Sequence, residues 1–223
     1  MKLSSKTYKH KDSVGEEIGL ELGKIVCVGR NYADHARELN NPVPTEPLLF
    51  IKPASSAVSL EAPLVLPAGL GECHHELELA LLVGARLSSA SRAEVAAAIW
   101  GYGVGLDLTL RQLQGRLKAK GHPWERAKGF DGACPLSRFQ RGSVDWGGLR
   151  LRLEINAEVR QDGLTADMIF PVLGLVEEMS AVFTLEPGDV VLTGTPAGVG
   201  PLSSGDRIKC EIVGHCAYET TVA

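Results

Sequence analysis

The chain has 223 residues, with 23 basic and 27 acidic side chains and a formal net charge of −4. That length accommodates one large core or two small ones, and a 44% hydrophobic content argues against disorder. The acidic balance argues against an electrostatic nucleic-acid binder or a membrane-surface protein, so an anionic ligand would need locally concentrated positive charge.

Residues 1–17 are polar and lack the apolar stretch of a secretory signal, and no run reaches the length of a membrane span. Cys27, Cys73, Cys134, Cys210 and Cys216 are odd in number and have no C-x-x-C spacing, which fits free thiols in a reducing cytosol. The expectation is a cytoplasmic protein with neither nucleic-acid nor membrane partners.

Residues 23–29 read as a short buried strand bounded by glycines. Residues 30–39 follow as a short helix, with Asn31 as cap and Asp34 in the first turn. Pro42, Pro44 and Pro47 enforce an extended loop before a strand at 48–51.

Residues 75–84 come next, His-Glu-Leu-Glu-Leu-Ala-Leu-Leu-Val-Gly, and hold the most informative pattern in the chain. In a strand, positions i and i+2 share a face. Leu77, Leu79 and Leu81 then line one side, while Glu76 and Glu78 project from the other into core. Two like charges roughly 7 Å apart in such surroundings repel unless a cation lies between them. Asp107 follows a second apolar run at 100–106. Three carboxylates suit a hard divalent ion and leave about three positions of an octahedral Mg²⁺ or Mn²⁺ shell for water and substrate. A Glu-x-Glu pair matched by Lys or Arg is the plain alternative. Zinc held by Cys73, His74 and His75 is a rival, but three consecutive strand residues cannot all face one metal.

Ser91-Arg92-Ala93-Glu94 is a capping box that opens an alanine-rich helix ending near Trp100. Residues 109–120 place Leu110, Leu113 and Leu117 on one helical face and Arg111, Gln114 and Lys118 on the other, with Gly121 as a stop. Residues 149–155 alternate as a strand, with a turn expected at Asp162-Gly163. Residues 168–183 form a helix entered near Pro171, and 189–193 and 207–213 are closing strands. Strands outnumber helices without regular alternation, which points to a mixed β roll or sandwich with peripheral helices.

Three further groups carry chemistry. His35 and Glu38 are neighbours at i, i+3 on a helix, so the carboxylate can orient the imidazole as a base; spacing alone favours an exposed pair. Arg111 and Gln114, just after Asp107, can grip a carboxylate and a carbonyl, and Lys128 falls in a compact turn near Phe130 and Pro135. The loop 193–200, Thr-Gly-Thr-Pro-Ala-Gly-Val-Gly, can turn backbone N–H groups toward an anion, with Thr195 adding a hydroxyl. It lacks the Gly-Lys-Ser/Thr of a nucleotide loop, and Gly101, Gly103 and Gly105 lie inside an apolar run rather than opening a helix, so a dinucleotide fold is rejected.

Taken in order, Gly29-Arg30-Asn31-Tyr32 with His35 and Glu38, Phe50-Ile51-Lys52-Pro53, His74 through Leu79, Gly101-Tyr102 to Thr109, Gly121-His122-Pro123-Trp124 with Lys128, and Pro187-Gly188-Asp189 through Pro196 resemble the fumarylacetoacetate hydrolase family, in particular its short acylpyruvase branch. The resemblance runs over about 24–214. It implies an α+β fold, a mixed β-sandwich roll with peripheral helices: an extension over 1–22 packed on one catalytic domain over 23–223, assembled as a homodimer. It further implies Mg²⁺ or Mn²⁺ on Glu76, Glu78 and Asp107, and a lid carrying His35 and Glu38. Lys128 would be catalytic, and Arg30, Lys52, Arg111, Gln114 and Thr195 would hold a small anionic 2-oxo acid. Gln112 departs from the acid many relatives carry beside the arginine. The implied activity is hydrolysis of the C–C bond of acylpyruvates through a metal-stabilised enolate, with decarboxylation of oxaloacetate as a second activity. An isomerase, decarboxylase or tautomerase of 2-oxo acids, oxaloacetate among them, is the alternative, and a non-catalytic metal-binding protein the remote one.

Overall fold

The computed structural model describes residues 8–39 and 41–223; the first seven residues of the expected extension lie outside them. In chain order the elements are β1 (Lys24–Gly29), α1 (Ala33–Glu38), β2 (Leu48–Pro53), β3 (Ala57–Ser59), β4 (Cys73–His75), β5 (Leu77–Val83), α2 (Arg92–Ala98) and β6 (Ile99–Leu106). They continue with β7 (Thr109–Leu110), α3 (Arg111–Ala119), α4 (Glu125–Lys128), β8 (Cys134–Leu136), β9 (Gln140–Arg141), β10 (Arg150–Ile155) and β11 (Glu158–Leu164). The last are α5 (Val172–Val182), β12 (Val190–Leu192), β13 (Gly200–Pro201), β14 (Arg207–Ile212) and β15 (Cys216–Thr221).

One large mixed sheet runs β2-β1-β12-β5-β6-β8-β3, with β9 also pairing β6. The β1–β12 and β3–β8 pairs are parallel and the other pairings antiparallel. A second, antiparallel sheet runs β11-β10-β14-β15, and a small third one β13-β4-β7. The expected α+β class and strand-rich roll are what the chain adopts.

Every residue of β5 is buried because both of its faces are covered. Leu77, Leu79, Leu81 and Val83 join the main core with Leu151, Leu153, Ile208 and Cys210 of the second sheet and Leu175, Val176 and Met179 of α5. Ala80 and Leu82 join a smaller core with Ile25, Cys27, Val190 and Leu192, over which Ile18, Leu20 and Leu22 pack. Glu78 shares the parity of Ala80 and Leu82, so the strand delivers it to that second face, as alternation requires.

Several local expectations change. Asn31 does not cap α1; Tyr32 occupies that position with no side-chain bond to the helix. The Asn31 amide instead donates to Thr193 O at 2.8 Å and Phe170 O at 3.1 Å, and its oxygen accepts Phe170 N–H at 2.8 Å. A buried amide satisfied three times outcompetes one exposed cap bond. The hairpin turn lies at Asn156 and Ala157, both with positive φ (53° and 67°), and not at Asp162-Gly163, which stays within β11. Asp162 is held there by ion pairs to Arg150 and Arg152. Thr109 and Leu110 pair as β7, so the helix begins only at Arg111. The Ser91–Glu94 capping box forms as expected.

The alternating glycines of β6 have a packing reason. A Cβ at Gly101 would fall 2.1 Å from Gln140 O, and one at Gly103 2.7 Å from Arg138 O. The segment before and within β9 lies directly on that face of the strand.

Candidate active site

β1, β6 and β12 end, and β5 begins, at the same side of the large sheet, and their loops carry the polar residues singled out above. Glu76 is not part of β5. It occupies the single-residue break between β4 and β5, where the chain passes from the small sheet to the large one, and its carbonyl accepts Asp107 N–H at 2.9 Å. That bond holds the end of β6 beside the start of β5 and brings Asp107 to the two glutamates. One oxygen of each of Glu76, Glu78 and Asp107 lies within 4.8 Å of the others, and all three side chains are buried.

Each carboxylate is differently matched. Glu76 pairs with Arg111 and, at 2.8 Å, with Lys128. Burial alone would raise its pKa, but these two cations outweigh that and hold it well below the usual carboxylate range. Asp107 lies 2.5 Å from Lys128 through one oxygen. Its other oxygen is 2.8 Å from Lys52 Nζ, at an angle that makes no hydrogen bond, and so has no hydrogen-bond donor among the described residues. Glu78 accepts the Gly194 N–H at 2.6 Å and has no cationic partner among the described residues. Burial, then the charges of Asp107 and Glu76, push its pKa well above the ordinary value. A carboxylate kept uncomfortable by its neighbours, and an Asp107 oxygen without a donor, fit a cage for a divalent cation. The Cys-His-His rival does not form: His75 turns to Gln161 at 3.0 Å and His74 toward Glu72 at 3.7 Å.

Lys128 is buried in α4 and donates to Thr109 Oγ1 at 2.7 Å besides its two carboxylates. Burial disfavours its charge, yet Asp107 and Glu76 raise its pKa above the usual lysine value, so it stays an ammonium. Phe50 lies under it, 5.1 Å from Nζ to the ring centroid.

His35 faces the same cavity and is only 5% exposed, so the imidazole of the expected exposed pair is buried while Glu38 stays at the surface. Its Nδ1 lies 3.3 Å from Glu38 Oε2, leaving Nε2 for the cavity. Glu38 is itself held by the Gly198 N–H at 3.1 and 3.2 Å. Burial lowers the His35 pKa, partly opposed by the Glu76 charge and the Glu38 bond, so the ring is neutral at pH 7. The glycines of the 193–200 loop thus turn N–H groups toward anions as expected, and the anions are the protein's own carboxylates.

Arg111 donates to Gln114 Oε1 at 2.9 Å, and both line the cavity with Thr195 and Arg30. Arg30 adopts φ 62°, a costly conformation for a residue with a Cβ. Lys118 joins them at the mouth, its Nζ bonded to Asn41 Oδ1 at 2.9 Å. Lys52 does not line the cavity. It is fully buried behind Asp107 and donates to the carbonyls of Ala133, at 2.9 Å, and Lys128. Gln112 is exposed and bonds Glu72 at 3.4 Å, outside the site. Thr109, Phe50 and Trp124 entered the sequence reading only inside the family motifs, with no role given to them, and Gln161 did not enter it at all. They carry no local signal, because a Thr, a Gln and two aromatics at those spacings read as ordinary strand and core.

Residues 24–223 match the family model described as fumarylacetoacetate (FAA) hydrolase C-terminal. The chain belongs to the fumarylacetoacetate hydrolase family. It is 50% identical to the oxaloacetate tautomerase YcgM of Escherichia coli K12 over 211 residues, 93% of this chain and 96% of that protein. It is 44% identical to the human mitochondrial oxaloacetate tautomerase FAHD1 over 197 residues, 87% of this chain and 89% of that one. A crystal structure of fumarylpyruvate hydrolase from Pseudomonas aeruginosa in complex with Mn²⁺ and pyruvate superposes with a TM-score of 0.90 at 33% identity, covering 99% of this chain and 98% of that one.

Proposed function

We propose that this member of the family is a divalent-metal-dependent tautomerase that interconverts the keto and enol forms of oxaloacetate. The observation that carries the reading is the neutral, buried His35, held by Glu38 and sharing a cavity with Glu76 and Glu78, two of the three carboxylates of the cage. The 50% identity to an oxaloacetate tautomerase over nearly all of both chains supports it and moves this reaction ahead of the hydrolysis expected first.

Glu76, Glu78 and Asp107 would hold Mg²⁺ or Mn²⁺, which when bound draws electron density from the keto oxygen and acidifies the neighbouring carbon. The chain's own groups do the rest. Arg111, Gln114 and Thr195 orient the carboxylate beside the keto group. His35 Nε2, unprotonated and aimed at the cavity, takes a proton from the carbon between keto group and distal carboxylate and gives it to the former keto oxygen, which completes the enol; ketonisation runs the two transfers backwards. Glu38 keeps the ring in the tautomer that leaves Nε2 free. Lys128 remains positively charged and stabilises negative charge on the substrate oxygens. Lys52 acts on substrate only through Asp107, by holding that carboxylate in place. Arg30 and Lys118 at the mouth suit the second carboxylate of a dicarboxylic acid. The substrate is thus a small anionic 2-oxo acid, and four cationic side chains on the cavity wall supply the local positive charge that a chain of net charge −4 otherwise lacks.

Hydrolysis of acylpyruvates is the second reading. The same His35–Glu38 pair can take a proton from water, and the relative solved with Mn²⁺ and pyruvate is a fumarylpyruvate hydrolase. Among the described residues no helix is long and apolar enough to cross a membrane. The homodimer implied by the resemblance would sediment at twice the chain mass.

Purified protein offered oxaloacetate enol, acetylpyruvate and fumarylpyruvate, each with Mg²⁺, Mn²⁺ or excess EDTA, separates the reactions. Accelerated ketonisation of oxaloacetate that EDTA abolishes is the expected result. Cleavage of the acylpyruvates without ketonisation would replace tautomerase by hydrolase, and undiminished activity in EDTA would remove the metal from both.

A further inference from the structure

Gln161 belongs neither to the carboxylate cage nor to the His35–Glu38 pair, yet it joins β5 to the substrate loop. It lies in β11 and is 1% exposed. Its Oε1 accepts the Leu77 N–H at 2.9 Å and lies 3.0 Å from His75 Nδ1. Its Nε2 donates to Thr195 Oγ1 at 2.7 Å and to Pro196 O at 2.8 Å. A backbone N–H can only donate, so Leu77 decides which end of the amide is oxygen. Both N–H groups then point at the loop, and His75 must carry its proton on Nδ1.

Thr195 Oγ1 therefore already receives a hydrogen bond and has one proton to give. Among the described residues the acceptor within reach is Pro196 O, at 3.5 Å. That is too long for a sound O–H···O bond, and the same carbonyl already accepts from Gln161. Thr195 lines the cavity, so its proton is directed at whatever occupies it.

We propose that Gln161 is a positioning residue that polarises the Thr195 hydroxyl, fixing it as a donor toward a carboxylate oxygen of the bound 2-oxo acid. This rests on reading the cavity as a 2-oxo acid site. Without the Gln161 donor the hydroxyl is free to turn its lone pairs toward the cavity, where an anion is repelled.

The test measures pyruvate binding by calorimetry in saturating Mn²⁺, in a double-mutant cycle. Thr195→Val removes the donor and weakens pyruvate about tenfold; Thr195→Ser restores most of the affinity. Gln161→Glu keeps the acceptor for Leu77 but can no longer donate to the loop, so the Thr195 hydroxyl turns to it and affinity falls by a similar factor. In that background Thr195→Val has less than about a twofold further effect, because the donor is already lost. Full multiplication of the two losses would make Gln161 merely structural and overturn the proposal. Where Gln161→Glu does not fold, ¹⁵N NMR of the wild type decides: His75 protonated on Nδ1 supports the amide orientation, and protonation on Nε2 overturns it. Pyruvate binding without oxaloacetate turnover would fail the proposed reaction while leaving this cycle intact.

Discussion

Gly194 donates its N–H to Glu78 Oε2 at 2.6 Å from a backbone with φ 95°, so one glycine ties the loop after β12 to a carboxylate on β5. A Cβ there would lie 2.6 Å from Asn31 Cβ. Gly194→Ala is therefore strained in conformation and in contact. It is expected to destabilise the fold by about 1–3 kcal/mol and to weaken divalent-ion binding, both read from thermal melts with and without Mn²⁺. An unchanged melt would mean that the loop can shift away from Asn31 freely.

Among the described residues Glu78 is the carboxylate of the three with no cationic partner, and Glu78→Gln tests the cage directly. The amide keeps an acceptor for Gly194 while removing repulsion with Asp107 and Glu76. Without metal the variant should melt at the wild-type temperature or above. The stabilisation that Mn²⁺ gives the wild type, about 2.7 kcal/mol at a hundred times its Kd, should disappear. Retention of the Mn²⁺ shift would exclude Glu78 as a ligand.

His35→Ala should lower turnover by roughly 10²–10⁴ while leaving the Mn²⁺-induced melting shift in place. Glu38→Gln should give a smaller fall, since it alters orientation rather than removing the base. Because burial lowers the His35 pKa, activity should persist below pH 6.5 before its acid limb appears. Joint loss of turnover and metal binding in His35→Ala would make His35 structural or a ligand.

Lys118 separates dicarboxylic from monocarboxylic 2-oxo acids if it meets the distal carboxylate. Lys118→Met should raise KM for oxaloacetate about three- to tenfold and leave that for acetylpyruvate near the wild-type value. Equal effects on both substrates would place Lys118 outside the discrimination.

Acid should unfold the protein in a window set by histidines before carboxylates matter. Burial lowers the pKa of His10, His35, His74 and His75 below 6.5. The unfolded chain then binds more protons as pH falls, so the stability they permit is complete above about pH 6.5 and is lost from there toward the folded pKa values. A urea midpoint lower at pH 5 than at pH 7.5 is expected. His10→Gln, whose amide can still donate to Gly188 O, should shrink the difference; a midpoint independent of pH over this range would contradict the assignment.

What could be read along the chain was whatever repeats locally. The alternation through Leu77, Leu79 and Leu81 places Glu78 on the opposite face of a buried strand, and the Ser91–Glu94 box starts α2, because both follow from backbone periods of two and 3.6. The i, i+3 spacing makes His35 and Glu38 partners, and the acid count near Glu76 already argued for a cation. Asn31 and Asp162 misled for the opposite reason: each has a strong local preference that a long-range partner overrode, Thr193 and Phe170 for one, Arg150 and Arg152 for the other.

The tertiary structure alone decided which charges share a cage and which stand behind it. Lys52, Arg111 and Lys128 look alike in sequence as cations near motifs. Folding buries Lys52 behind Asp107, pairs Arg111 with Glu76, and sets Lys128 between Glu76 and Asp107. The burial of His35 and the contact of Gln161 with Thr195 likewise depend on strands and loops far apart in the chain. A hydrogen bond such as Gln161 to Thr195 has no period and no local propensity to reveal it, since only the packing of β11 against the start of β5 brings its partners within reach.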